Sequence, residues 1–103
     1  MQQLDDSIRG QLLYLKAELH YLLVVTDKGK ALLLYNLKDA IDELSGVVGM
    51  QVHRSWWVAA DAVQSMQRNG RQGELALKGG QVVPVSRNRV KAVASWLEKI
   101  QCR

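Results

Sequence analysis

The sequence predicts a mainly β domain of many short antiparallel strands, with one short internal helix and a helix near the C-terminus. Three observations predict it. No apolar run exceeds five residues, as in residues 21–25 and 31–35, so each run suits a strand rather than a membrane span. Turn chemistry at Asp27-Lys28-Gly29, Asn69-Gly70 and Lys78-Gly79-Gly80 separates these runs. Helical spacing of apolar residues occurs twice, once in the middle and once at the end.

Residues 1–10 are polar and aperiodic and are expected to form a loose arm, leaving residues 11–103 as the domain. Leu13, Leu15 and Ala17 alternate with Tyr14, Lys16 and Glu18, which reads as a strand with one buried face. Residues 20–26 and 30–35 are the next strands, joined by a short loop in which Gly29 can take a positive φ. The period then changes. Leu37, Ala40, Ile41 and Leu44 share one helix face, Asn36 is a good N-cap, and Gly46 and Gly49 end the segment. Strand character resumes over residues 50–53, 56–60 and 63–68. Asn69-Gly70 turns the chain, and Lys78-Gly79-Gly80 turns it again before residues 81–85. Val90, Val93, Ala94, Leu97 and Ile100 make the apolar stripe of the last helix.

A chain of 103 residues is one domain, and 48% hydrophobic with 23% charged residues suits a folded chain rather than a disordered one. Cys102 is the single cysteine and has no internal disulfide partner, and no signal-peptide pattern is present. The cytoplasm is therefore the expected compartment. The net charge of +4 is unevenly spread. Residues 1–49 hold five Lys/Arg and seven Asp/Glu, a net −2, whereas residues 50–103 hold nine and three, a net +6. An anionic partner would meet the second half.

That half carries two basic motifs. In Ser86-Arg87-Asn88-Arg89, Ser86 or Asn88 can cap the last helix, yet two arginines then stand where the helix dipole favours acids. A bound anion would reverse that penalty. In His53-Arg54-Ser55, strand alternation would turn His53 and Ser55 to one face and Arg54 to the other. The bland reading makes His53 a satisfied, partly buried histidine and Ser55 a hydroxyl bonded to backbone. Arg54 then faces solvent or a ligand, where a planar guanidinium suits guanine O6/N7 or a phosphate. Trp56, Trp57 and Trp96 read as core rather than as a stacking platform, because the chain has no phenylalanine to fill its interior.

The order and spacing of several segments resemble the LytTR family of DNA-binding domains. They are Tyr14-Leu15-Lys16-Ala17-Glu18 with His20-Tyr21, Thr26-Asp27-Lys28-Gly29, Leu37-Lys38-Asp39-Ala40, His53-Arg54-Ser55 and Pro84-Val85-Ser86-Arg87. The resemblance runs from Leu12 to Ile100. It implies an elongated antiparallel β architecture that binds duplex DNA through loops whose residues enter successive major grooves. It also implies base contacts by His20, Arg54 and Arg87, with Lys16, Asn88 and Arg89 as phosphate or secondary base contacts. Many members carry an asparagine soon after the HRS segment, whereas this chain has Ala59-Ala60-Asp61. A receiver domain or membrane-spanning segment usually precedes such a domain. With its first strand so close to Met1, the chain reads as a stand-alone small regulator or as a piece of a longer protein.

The expected function is a sequence-specific transcription regulator. One small module reads few base pairs, so binding as a pair on direct-repeat or paired half-sites is expected. The alternative is a protein-interaction or dimerisation module with weak or lost DNA binding. Catalysis is not expected. His53 and Ser55 lack a glycine-rich nucleophile turn, and no HxxxH, CxxC or acidic metal-spaced cluster is present. No cofactor, metal or small-molecule substrate is implied.

Overall fold

The hydrophobic runs pair antiparallel with their neighbours wherever a short turn joins them. The computed structural model describes residues 11–44 and 46–101, apart from the side chains of Asn69 and Gln101. The expected arm over residues 1–10 and Cys102 lie outside them. Strands β1 (Leu12–Glu18), β2 (Tyr21–Thr26), β3 (Gly29–Leu33), β4 (Gly49–His53) and β5 (Trp56–Ala59) form a five-stranded sheet in the order β3-β2-β1-β5-β4. Strands β6 (Val63–Asn69), β7 (Gln72–Leu77) and β8 (Val82–Val85) form a three-stranded sheet in chain order. Helix α1 (Leu37–Asp42) joins β3 to β4, and helix α2 (Val90–Gln101) closes the described chain. The expected fold class is the observed one, with principal extents of 37 × 31 × 25 Å. Among the described residues no helix is long and apolar enough to cross a membrane.

The central position of β1 overturns one expectation. Tyr14 and Leu15 are adjacent and both buried, so this strand hides both faces rather than one. On one face Leu15, Leu22, Val24 and Trp57 pack with Leu37 and Ala40 of α1. On the other, Tyr14, Val25, Val52 and Val58 meet Leu75, Leu77, Val83 and Val85 of the small sheet and Val90, Val93 and Leu97 of α2. The period-two alternation assigns Leu15, Val24 and Trp57 to one layer and their neighbours Tyr14, Val25 and Val58 to the other. Each fully buried aliphatic side chain contributes about 1.5–3 kcal/mol, so the sheet is held from both sides.

Turn residues behave as their chemistry dictates, with three shifts from expectation. Gly29 does not have a positive φ. It pairs with Thr26 as the first residue of β3, and the Thr26 hydroxyl accepts from the Lys28 N–H at 3.2 Å inside the loop. The second sheet's first turn sits at Gly70-Arg71, one residue later than expected, since Asn69 pairs with Gln72 and Gly70 supplies the φ of 69°. Ala60 leaves the strand and begins a 3-10 turn over Ala60–Ala62 that leads into β6. The Asn36 cap forms as expected, its side-chain oxygen accepting from the Asp39 N–H at 2.8 Å.

Gly49 has a different task from ending α1, which closes at Asp42 with Glu43 as its C-cap. It opens β4 beneath the Trp57 ring, and a Cβ there would lie 2.1 Å from the ring's Cζ2 and 2.6 Å from the Val58 carbonyl oxygen. Trp57 is core and cannot retreat without opening a void, so Gly49→Ala is expected to destabilise by about 1–3 kcal/mol through overpacking. A Cβ added at Gly46 would meet nothing within 4 Å, and Gly46→Ala should be near neutral. Urea-unfolding midpoints of the two variants check the contrast.

Candidate nucleic-acid interface

Two tight hairpins and one strand-to-helix junction build the site. Glu18 pairs with Tyr21, so Leu19-His20 is a two-residue loop between β1 and β2. His53 pairs with Trp56, so Arg54-Ser55 is the corresponding loop between β4 and β5. Because β1 and β5 are antiparallel neighbours, with Lys16 opposite Trp56, both loops fall at the same end of the sheet. The Ala17 N–H donates to the Ser55 carbonyl at 2.7 Å and ties one loop to the foot of the other. The strand alternation expected through His53-Arg54-Ser55 is therefore incorrect. The segment bends after His53, and Arg54 stands exposed at a hairpin tip.

A β-bulge brings the third segment alongside. The β4–β5 register shifts between Gln51 and His53, which leaves Val52 as the extra residue of β4. Its carbonyl accepts from the Ser86 N–H at 3.1 Å, and the Gln51 carbonyl accepts from the Arg89 guanidinium at 3.3 Å. The junction between β8 and α2 is thus fastened to the edge of the large sheet. His53, Gln72, Pro84, Val85, Ser86, Arg87 and Asn88 line one open cleft there, of about 460 Å³.

The helix start differs from expectation. Arg87–Arg89 form a 3-10 turn ahead of α2, and neither Ser86 nor Asn88 caps with its side chain. The Ser86 carbonyl accepts from the Arg89 N–H at 2.9 Å, whereas the Ser86 hydroxyl is buried with no hydrogen-bond partner among the described residues. The first turn of α2 holds no acid. Basic side chains near a helix start cost about 0.3–1 kcal/mol each, which an anion would offset.

The basic residues separate into engaged and available. Arg89 is half-buried and held by Gln51. Lys16 lies 3.1 Å from a Glu18 carboxylate oxygen and 5.0 Å above the Trp56 ring centroid. Arg54, Arg87, His20 and Asn88 are exposed, and neither Arg54 nor Arg87 has an acidic partner among the described residues. The tryptophans are not a stacking platform. Trp57 is buried, Trp96 packs on the core, and Trp56 is flanked by Lys16 and by Tyr14 at 5.5 Å between ring centroids. No group of residues able to hold a metal exists among the described residues.

One residue of this surface is not legible from the sequence. Leu19, beside His20, has a φ of 54° and is 99% exposed. A left-handed conformation costs an L-residue roughly 1–2 kcal/mol, and only glycine, asparagine and aspartate adopt it readily. The one sequence signal is a bulky apolar residue next to a polar one at a strand end, which resembles ordinary strand alternation.

Similarity to known proteins points the same way. The model of the LytTr DNA-binding domain family matches residues 10–98. Among solved structures, the LytTr DNA-binding domain of a protein described as a putative methyl-accepting/DNA response regulator from Bacillus cereus superposes with a TM-score of 0.71. It is 22% identical over 88% of this chain and 81% of that one, which shows a shared fold. No curated protein matches the chain significantly.

His53 underpins the Arg54 loop. Its Nδ1 accepts from the Ser55 backbone N–H at 3.1 Å, so the ring is neutral and carries its proton on Nε2. Burial lowers its pKa from 6.5, and Arg54 and Arg89 lower it further. The folded protein therefore takes up this proton less readily than the unfolded chain. The stabilisation is complete above pH 6.5 and is lost as pH falls from there through the lower folded value. Urea midpoints followed from pH 7.5 downwards should fall more steeply for the wild type than for His53→Gln. Parallel curves would remove His53 as the titrating group.

Proposed function

The chain belongs to the LytTR family of DNA-binding domains, and from that premise we propose that it is a transcription regulator reading duplex sequence with side chains from its loops. One observation carries the reading. Two exposed arginines without acidic partners among the described residues, Arg54 and Arg87, are presented at one end of the molecule by structures that fix their backbones. Each guanidinium suits a bidentate contact with guanine O6 and N7 in a major groove. His20 would contact a base from the neighbouring hairpin, and Asn88 would contact a base or phosphate beside Arg87. Lys16 would reach a phosphate by exchanging its Glu18 partner. Arg89 would act mainly by fixing the junction that presents Arg87.

The positive second half of the chain favours a polyanion over a neutral ligand. One domain of this size spans few base pairs, so two copies on direct-repeat or paired half-sites would complete an operator. The reading puts the domain in the cytoplasm of a bacterial cell, where it meets DNA. A dimerisation module is the second reading, favoured by the edge position of β3 and by Leu32 and Leu34 lying exposed at 55% and 73%.

Selection of bound duplexes from a random library, followed by anisotropy titrations at several salt concentrations, tests the proposal. Arg54→Ala and Arg87→Ala should each weaken the selected site by about 1–3 kcal/mol and relax the preference at one base pair. Lys16→Ala should weaken all sequences alike and make the salt dependence shallower. Unchanged binding by both folded arginine variants would remove the site assignment. Failure to bind any duplex at low salt would leave the dimerisation module.

A further inference from the structure

At the tip of the first hairpin, one residue works against stability twice. Leu19 has a φ of 54°, a conformation that hairpin loops reserve for glycine, asparagine or aspartate. Its isobutyl group is 99% exposed, so its apolar surface stays in water. Asparagine or glycine would relieve the backbone and remove that surface together. A residue that breaks two local rules with no compensation among the described residues points to compensation from a partner.

Its surroundings narrow the choice of partner. His20, the next residue, is exposed, and the Ala17–Ser55 hydrogen bond holds the Arg54 loop beside this hairpin. The tip is thus part of the surface assigned above to duplex DNA. A leucine has no hydrogen-bonding group with which to read a base edge or a phosphate. The C5-methyl of thymine is the apolar feature that base edges present in the major groove, and apolar side chains are what contact it.

We propose that Leu19 is a specificity-determining residue that packs on a thymine methyl beside the base contacted by His20. The inference rests on the DNA-binding reading and adds to it a demand for thymine at a defined position. On this view the hairpin loop reads two adjacent features, a polar edge through His20 and a methyl group through Leu19.

The test uses the full chain and the duplex selected from the random library. Each thymine is replaced in turn by uracil, which removes only the C5-methyl, and binding is followed by anisotropy for the wild type, Leu19→Asn and Leu19→Gly. The wild type should lose about fourfold in affinity at one position, the value of one buried methyl group. Both variants should lack that step, and both should melt at a higher temperature than the wild type because the left-handed backbone is relieved. A wild type indifferent to uracil at every position would overturn the proposal while leaving duplex binding intact. So would variants that keep the uracil step. Absence of duplex binding by the wild type would overturn the DNA-binding reading, and the Leu19 assignment with it.

Discussion

The outer edge of β4 is the constraint on which the rest of the molecule depends. As the last strand of the large sheet, β4 has no further strand to satisfy its free carbonyls. The bulge at Val52 turns one carbonyl to the Ser86 amide, and the Gln51 carbonyl takes the Arg89 guanidinium. These bonds close an edge that could otherwise pair with another chain. They also fasten the small sheet and α2 to the large sheet at one level, while Val52 itself is fully buried in the core that the two share. Arg87 therefore has its position relative to Arg54 set by backbone, not by the flexible reach of two long side chains.

Charge at this end follows the same division between support and contact. Arg89 is spent on the seam and Lys16 on Glu18 and Trp56, whereas Arg54 and Arg87 remain without acidic partners among the described residues. His53 contributes by staying neutral. Its ring accepts the Ser55 amide, which closes the loop carrying Arg54, and burial, with the nearby Arg54 and Arg89 charges, opposes its protonation. An electropositive patch held together by a neutral histidine avoids adding a further positive charge to its own support.

Much of this was legible in the sequence. The alternating runs, the Asn36 cap and the glycine-bearing turns specify local structure through short-range sterics and hydrogen bonds, and these formed with shifts of a residue or so. Arg54 was correctly read as exposed, though for a different reason, since a hairpin tip rather than strand alternation exposes it. What local reasoning missed is non-local. The two-sided burial of β1 follows from its central place in the sheet, which its own alternation does not encode. Arg87 and Arg89 are two residues apart in one motif, yet only Gln51 of β4, distant in sequence, distinguishes a tethered arginine from a free one. The left-handed Leu19 was hidden because leucine argues against the conformation it adopts.

The placement of Arg54 and His20 on two-residue loops has an energetic consequence. A loop of this length, closed by a paired residue on each side, has little conformational freedom left to lose on binding. Long side chains would still lose rotamer entropy, but the backbone beneath Arg54 and His20 is already ordered, so in the proposed complex more of each contact's energy would appear as affinity. Ends of strands also suit the geometry of the task. A hairpin tip narrows to a few side chains, which under the proposed function a groove would admit while the bulk of the sheet stays outside. In this fold two packed sheets fix the separation between short tips, which is the rigidity the proposed recognition would use, and one tip carries Leu19, a residue poor for the fold's own stability.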